Sequence, residues 1–142
     1  MLLLNGPNLG RLGTRQPGIY GSTSLKEIEV AVAEELRQAG ADLIAAQREG
    51  EGELIDVLQR NWDTDGAIVN PGALMIHGWS LRDALEDYPA PWIEVHLSNV
   101  WARESFRHTS VTAPVASGVV VGFGALGYRL AARALTWLLA ER

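Results

Sequence analysis

Short apolar runs alternate along the chain with longer stretches in which apolar residues recur every three or four positions, a pattern that predicts buried strands alternating with amphipathic helices. Residues 1–4 are wholly apolar and give way to Asn5, Gly6, Pro7 and Asn8, a composition that ends a strand in a loop. A second loop, rich in glycine, spans 10–21. The clearest helix follows it. Ser24 and Glu27 form a capping-box pattern, Leu25, Ile28, Val32, Leu36 and Ala39 keep helical spacing, and Gly40 supplies the stop. Further strands are expected at 41–46, 66–69, 92–97 and 119–121, and further helices at 51–62, 80–87 and 126–141.

Five strands joined by short links through helices have to run parallel, because each link crosses over one face of the sheet with right-handed sense. The expected fold class is therefore α/β: a three-layer α/β/α, doubly wound, five-stranded parallel sheet of flavodoxin-like type. Sheets of this kind bind ligands at the carboxyl ends of their strands. Those ends carry Asn5 and Asn8 after the first strand, Asn70 after the third, and Glu94, His96, Ser98 and Asn99 on or after the fourth.

Length and composition narrow the picture. The 142 residues fit a single domain spanning 1–142, and 47% hydrophobic with 20% charged residues is ordinary globular composition, unlike that of a disordered chain. There is no cysteine, which excludes disulfides, thiolate metal sites and a cysteine nucleophile and leaves the cytoplasm as the expected location. The four opening apolar residues are too few for a signal-peptide core or a membrane span. A formal charge of −5 argues against nucleic acid or anionic lipid as partners. Eleven of the twelve basic residues are nevertheless arginines, the side chain suited to gripping a carboxylate, so a small anion can still be held locally.

Candidate chemistry lies at the strand ends and in the 10–21 loop. Alternation along the fourth strand sets Glu94, His96 and Ser98 on one face and Ile93, Val95 and Leu97 on the other. A glutamate beside a histidine favours imidazolium and orients the ring, which makes a proton donor; the same pair also fits a satisfied structural contact. A free tyrosine, with a pKa of about 10, is a poor base at neutral pH. A neighbouring guanidinium stabilises phenolate, so Arg15 and Tyr20 in a closing loop make a sensible general base. Arg103 and Arg107 would share a face if their segment were helical and could present cations to an anion, although on spacing alone a solvated charged face shared with Glu104 fits better.

Residues 122–127 spell G-x-G-x-x-G, but only fifteen residues follow Gly127, too few for the next strand and acidic residue of a dinucleotide site. Tight strand-to-helix packing explains those glycines better. His77, His96 and His108 show no metal-ligand spacing. Neither a nucleotide nor a metal is expected.

In sequence order, the segments 5–13 (NGPNLGRLG), 15–21 (RQPGIYG), 70–73 (NPGA), 80–85 (SLRDAL), 93–99 (IEVHLSN), 102–108 (ARESFRH) and 118–128 resemble the type II 3-dehydroquinate dehydratases, and the likeness spans nearly the whole chain. The resemblance implies dehydration of 3-dehydroquinate to 3-dehydroshikimate by anti elimination through an enolate, without metal or cofactor. By the family pattern, Tyr20 removes the proton beside the ketone, Arg15 stabilises its phenolate form, and Asn8 holds a water on the enolate oxygen. His96, oriented by Glu94, protonates the departing hydroxyl. Asn70 and the backbone amides of Leu97 and Ser98 hold the carboxylate, and Arg107 binds ring hydroxyls. Asp83 reaches a neighbouring subunit's site, in a homo-oligomer of trimers assembled into a dodecamer.

Three positions depart from that pattern. Ile76 stands where the family has a histidine, with His77 one place later, Gln16 replaces a glutamate, and Trp101 replaces a histidine. Either a re-formed turn lets His77 reach the substrate, or a hydroxyl contact is lost at a cost of about 1–3 kcal/mol. Alternative readings are a paralogue using the same groups on a related cyclic acid, and a non-catalytic flavodoxin-like binding module.

Overall fold

The structure, a computed structural model, describes residues 1–142. Its five strands are β1 (Leu2–Asn5), β2 (Ile44–Gln47), β3 (Ala67–Asn70), β4 (Trp92–His96) and β5 (Gly118–Val121). Its helices are α1 (Pro17–Tyr20), α2 (Leu25–Gln38), α3 (Glu51–Arg60), α4 (Leu74–His77), α5 (Trp79–Asp87) and α6 (Leu126–Ala140). All strand pairings are parallel, in the order β2-β1-β3-β4-β5. This is the doubly wound, flavodoxin-like arrangement that the alternating pattern predicts.

The three central strands are buried at every residue because helices cover both faces, which is why they read as continuous apolar runs. Leu3, Ile68, Ile93 and Val95 pack with Ile28, Val32, Tyr128 and Leu135 of α2 and α6. On the opposite face Leu2, Leu4, Val69 and Trp92 pack with Leu54, Leu58, Leu81 and Leu85 of α3 and α5. Each buried Leu or Ile contributes about 1.5–3 kcal/mol by transfer from water.

Differences from the expected boundaries have local causes. The second strand begins at Ile44, not residue 41, because α2 ends in a Schellman motif: Gly40 takes a φ of 77°, and the Ala41 and Gly40 N–H groups donate to Leu36 and Arg37 carbonyls. The 10–21 segment is more than a glycine-rich loop. Leu9 and Leu12 are buried in the core at its start, and Pro17 opens the single turn of α1. The one-turn helix α4 was not legible in the apolar pattern, being too short to show a period.

At the start of α2, Ser24 Oγ accepts from the Glu27 N–H at 3.2 Å while Glu27 Oε2 accepts from the Ser24 N–H at 2.7 Å. These bonds hold the Glu27 carboxyl below its ordinary value of 4.5, the Ser24 backbone being the larger cause. Its stabilising effect is therefore complete above the unfolded value and is lost as pH falls through the folded one. Ser24→Ala should cost about 1 kcal/mol and lower the melting temperature by roughly 3 °C. Glu27→Gln should be destabilising at neutral pH, with the difference from wild type closing below about pH 4.5 in the same denaturation experiment.

Candidate active site

The strand order reverses between β1 and β3: the chain leaves β1 toward β2 on one side, and leaves β3 toward β4 on the other. Their carboxyl ends, with Asn5 opposite Asn70, bound the crevice where such sheets bind ligands. The two loops that leave these ends are joined closely. The Gly6 N–H donates to the Asn70 carbonyl at 2.8 Å, and a Cβ at Gly6 would lie 2.6 Å from the Pro71 carbonyl oxygen, so no larger residue fits. Above this junction is a cleft of about 100 Å³, partly open to solvent. Asn8, Arg15, Tyr20, Asn70, His96, Leu97, Ser98 and Arg107 all line it.

Tyr20 comes to the cleft through a chain of local constraints. Asn8 adopts the left-handed conformation at φ 68°, which asparagine tolerates, and its N–H donates to Glu49 Oε2 at 2.9 Å. Glu49 also accepts from Gln47 Nε2 at 2.8 Å. These two bonds, the Asn8 one first, together with the Arg15 charge hold the Glu49 carboxyl below its ordinary value. Leu9 and Leu12 then anchor the segment, and the turn of α1 delivers Tyr20. Two guanidinium groups, of Arg15 and Arg103, each lie 5.3 Å from the centre of its ring. Arg103 Nη1 donates to Tyr20 Oη at 3.0 Å and to Ser98 Oγ at 3.3 Å. Positive charge thus stands where a phenolate oxygen would form.

Glu94 and His96 leave β4 on the same face, as strand alternation requires. Glu94 is fully buried, its Oε1 lies 2.7 Å from His96 Nε2, and the same oxygen accepts from Ser110 Oγ at 3.0 Å. With Nε2 committed to the carboxylate, Nδ1 is the ring nitrogen left to exchange a proton with a bound molecule. Beyond β4, the N–H groups of Leu97 and Ser98, which lie outside any helix or strand, find no acceptor in the chain. Two free backbone donors at the cleft wall suit an anion. No three His, Cys, Asp or Glu side chains stand close enough together to hold a metal ion.

The family model for dehydroquinase class II matches residues 1–136. The chain belongs to the class II dehydroquinases. A 3-dehydroquinate dehydratase from Roseiflexus castenholzii is 52% identical over 143 residues, covering 100% of this chain and 89% of that protein. The crystal structure of a type II dehydroquinase from Propionibacterium acnes superposes with a TM-score of 0.90 at 40% identity, covering 99% of this chain and 95% of that one. A 3-dehydroquinate dehydratase-like protein from Bifidobacterium longum is more distant, with a TM-score of 0.73 at 27% identity over 99% and 98% of the two chains.

Not every expected residue of this dehydroquinase reaches the cleft. His77 is exposed and lies outside it. The turn of α4 buries Leu74 and Met75, so the helical phase carries His77 outward and Met75 lines the cleft instead. Asp83 is also outside, with its side chain 73% exposed on α5 beside Arg82. Arg107 reaches the cleft while donating to Glu104 at 2.9 Å. It does not share a helical face with Arg103. Separate 3-10 turns at Val100–Ala102 and Ser105–Arg107 divide them, and the extended Arg103 between turns toward Tyr20. The 122–127 glycines serve the β5-to-α6 turn: Gly122 has a φ of 92°, and Gly127 packs on Val95 and Val120.

Sequence reasoning weighed Arg103 only as a cation paired with Arg107, not as a partner of Tyr20, and missed Glu49 and Ser110 as parts of the site. Arg103 carries the sharpest prediction. Arg103→Met should reduce kcat roughly ten- to a hundredfold, the effect of losing a hydrogen bond to a charged group worth about 1.5–3 kcal/mol. Steady-state kinetics with an unchanged kcat would show that Arg15 alone supplies the charge at Tyr20.

Proposed function

We infer that this class II dehydroquinase removes water from 3-dehydroquinate to give 3-dehydroshikimate, a step of the shikimate pathway. The observation that carries the reading is the presence in one cleft of two distinct proton-transfer groups, Tyr20 between two guanidiniums and His96 held by Glu94. The alternatives, a related cyclic acid or mere binding, are less favoured. The chain is 52% identical to a protein named as the dehydratase, against 27% to the dehydratase-like protein.

The mechanism follows from these roles. Tyr20, as phenolate, takes the proton beside the ketone, and the C–H electron pair moves onto the carbonyl oxygen as an enolate. Arg15 and Arg103 stabilise the charge on Tyr20, and Asn8 holds a water that hydrogen-bonds the enolate oxygen. The enolate pair then returns to form the carbon–carbon double bond as the C–O bond breaks. His96 gives its proton to the leaving hydroxyl, which departs as water, and the proton on Tyr20 later restores His96. Asn70 with the Leu97 and Ser98 amides holds the carboxylate, and Arg107 holds ring hydroxyls. His77 has no role in this scheme, so the hydroxyl contact of the family histidine is absent here.

Asp83 and its exposed neighbour Trp79 suit a contact between copies. We take the working form to be a dodecamer built from trimers, in which Asp83 approaches a neighbouring site, and its location to be the cytoplasm. No helix is long and apolar enough to cross a membrane.

The product is a conjugated enone and the substrate is not, so ultraviolet absorbance follows the reaction directly. Purified protein given 3-dehydroquinate should develop enone absorbance, and Tyr20→Phe should reduce kcat by about 10²–10⁴-fold. Turnover retained in Tyr20→Phe would remove the tyrosine from the mechanism, and no absorbance change with the native protein would remove the substrate.

A further inference from the structure

Tyr128, in the first turn of α6, has no exposed surface and bridges the carboxyl ends of β1 and β3. Its Oη donates to Asn5 Oδ1 at 2.7 Å and accepts from Asn70 Nδ2 at 2.8 Å. A phenol has one hydrogen to give. Once that hydrogen goes to Asn5, Tyr128 can only accept from Asn70, and Asn70 must turn its amide nitrogen toward the ring. The Gly72 N–H, donating to Asn70 Oδ1 at 3.0 Å, selects the same orientation from the other end of the amide. One Nδ2 hydrogen then remains without an acceptor, on a side chain that is 2% exposed and lines the cleft. Burial pushes the Tyr128 hydroxyl far above the usual phenol range, against the weaker opposing effect of the Asn70 bond. The hydroxyl therefore keeps its hydrogen, and the direction of the relay is the same at every working pH.

We propose that Tyr128 is a positioning residue for the substrate carboxylate: the Asn5–Tyr128–Asn70 relay holds Asn70 with a donor, not its carbonyl oxygen, offered to the cleft beside the free Leu97 and Ser98 amides. This rests on the assignment of Asn70 to the carboxylate made above. A reversed amide would set one oxygen against another and turn attraction into repulsion. The relay matters because an amide is nearly symmetric in shape, so packing alone does not choose between its two ends.

Tyr128→Phe removes one oxygen atom and leaves the ring packing in place. It should raise the KM for 3-dehydroquinate about tenfold while kcat stays within about twofold, the signature of lost binding common to ground and transition states. Asn5→Ala, at a residue outside the cleft, frees the phenol hydrogen to turn toward Asn70 and should raise KM in the same way; it also tests the relay if Tyr128→Phe does not fold. Asn70→Ala should raise KM by itself, with no further rise when Tyr128→Phe is added. Unchanged KM in both Tyr128→Phe and Asn5→Ala, with only the melting temperature lowered, overturns the proposal. If Asn70→Ala still raises KM, the reading of Asn70 survives that failure. Unchanged KM in Asn70→Ala overturns both.

Discussion

The parallel pairing of β1 with β3, and the hydrogen bonds that continue it past the strand ends, is the constraint on which the rest of the molecule depends. The ladder runs from Leu2 opposite Ala67 to Asn5 opposite Asn70, and the Gly6 N–H extends it by one more bond. Apolar side chains of both strands supply the core on each face of the sheet. The last pair in the ladder is polar because it is where burial ends and the cleft begins. Stability and site geometry therefore share one element: a slip of register would move Leu2 and Leu4 to the wrong face and carry Asn5 away from Asn70.

Charge is distributed to match. The chain carries a formal −5, yet the cleft gathers Arg15, Arg103 and Arg107. Exposed carboxylates elsewhere keep the bulk surface unattractive to polyanions, while the cations inside a concave wall concentrate one small anion. Within the wall each cation has a different partner. Arg103 bonds Tyr20 and Ser98, Arg107 bonds Glu104, and Arg15 stacks near the Tyr20 ring with its charge felt by Glu49.

The fold was largely legible because double burial leaves an unmistakable mark. Residues 2–4, 67–69 and 92–95 are apolar on both faces or nearly so, with Glu94 as the polar exception that points to chemistry. Edge strands were harder: β2 is half exposed, and its start is set by the Schellman turn at Gly40, not by an apolar pattern. Within the site, Tyr20, His96 and Glu94 stand out by residue type. Arg103 stood out only as a cation beside Arg107, because its partner Tyr20 is 83 positions away and the break between two 3-10 turns, invisible to a helical count, decides where it points. Asn8 and Glu49 meet across 41 positions, a pairing that only the β1–β2 neighbourhood creates. His77 was left open between two readings for the opposite reason: its chemistry was attractive, but only the structure shows that one helical turn faces it away from the cleft.

The bond from Arg103 to Tyr20 links the stretch between the two 3-10 turns that follow β4 to the 10–21 segment. Movement of that segment away from the sheet would separate the phenol from one of its two cations. Arg15, which lies in the same segment, would travel with the phenol, so Tyr20 would keep one cation in an open molecule and have both only when the cleft is shut. The strength of the base would thus follow the closure of the cleft around it.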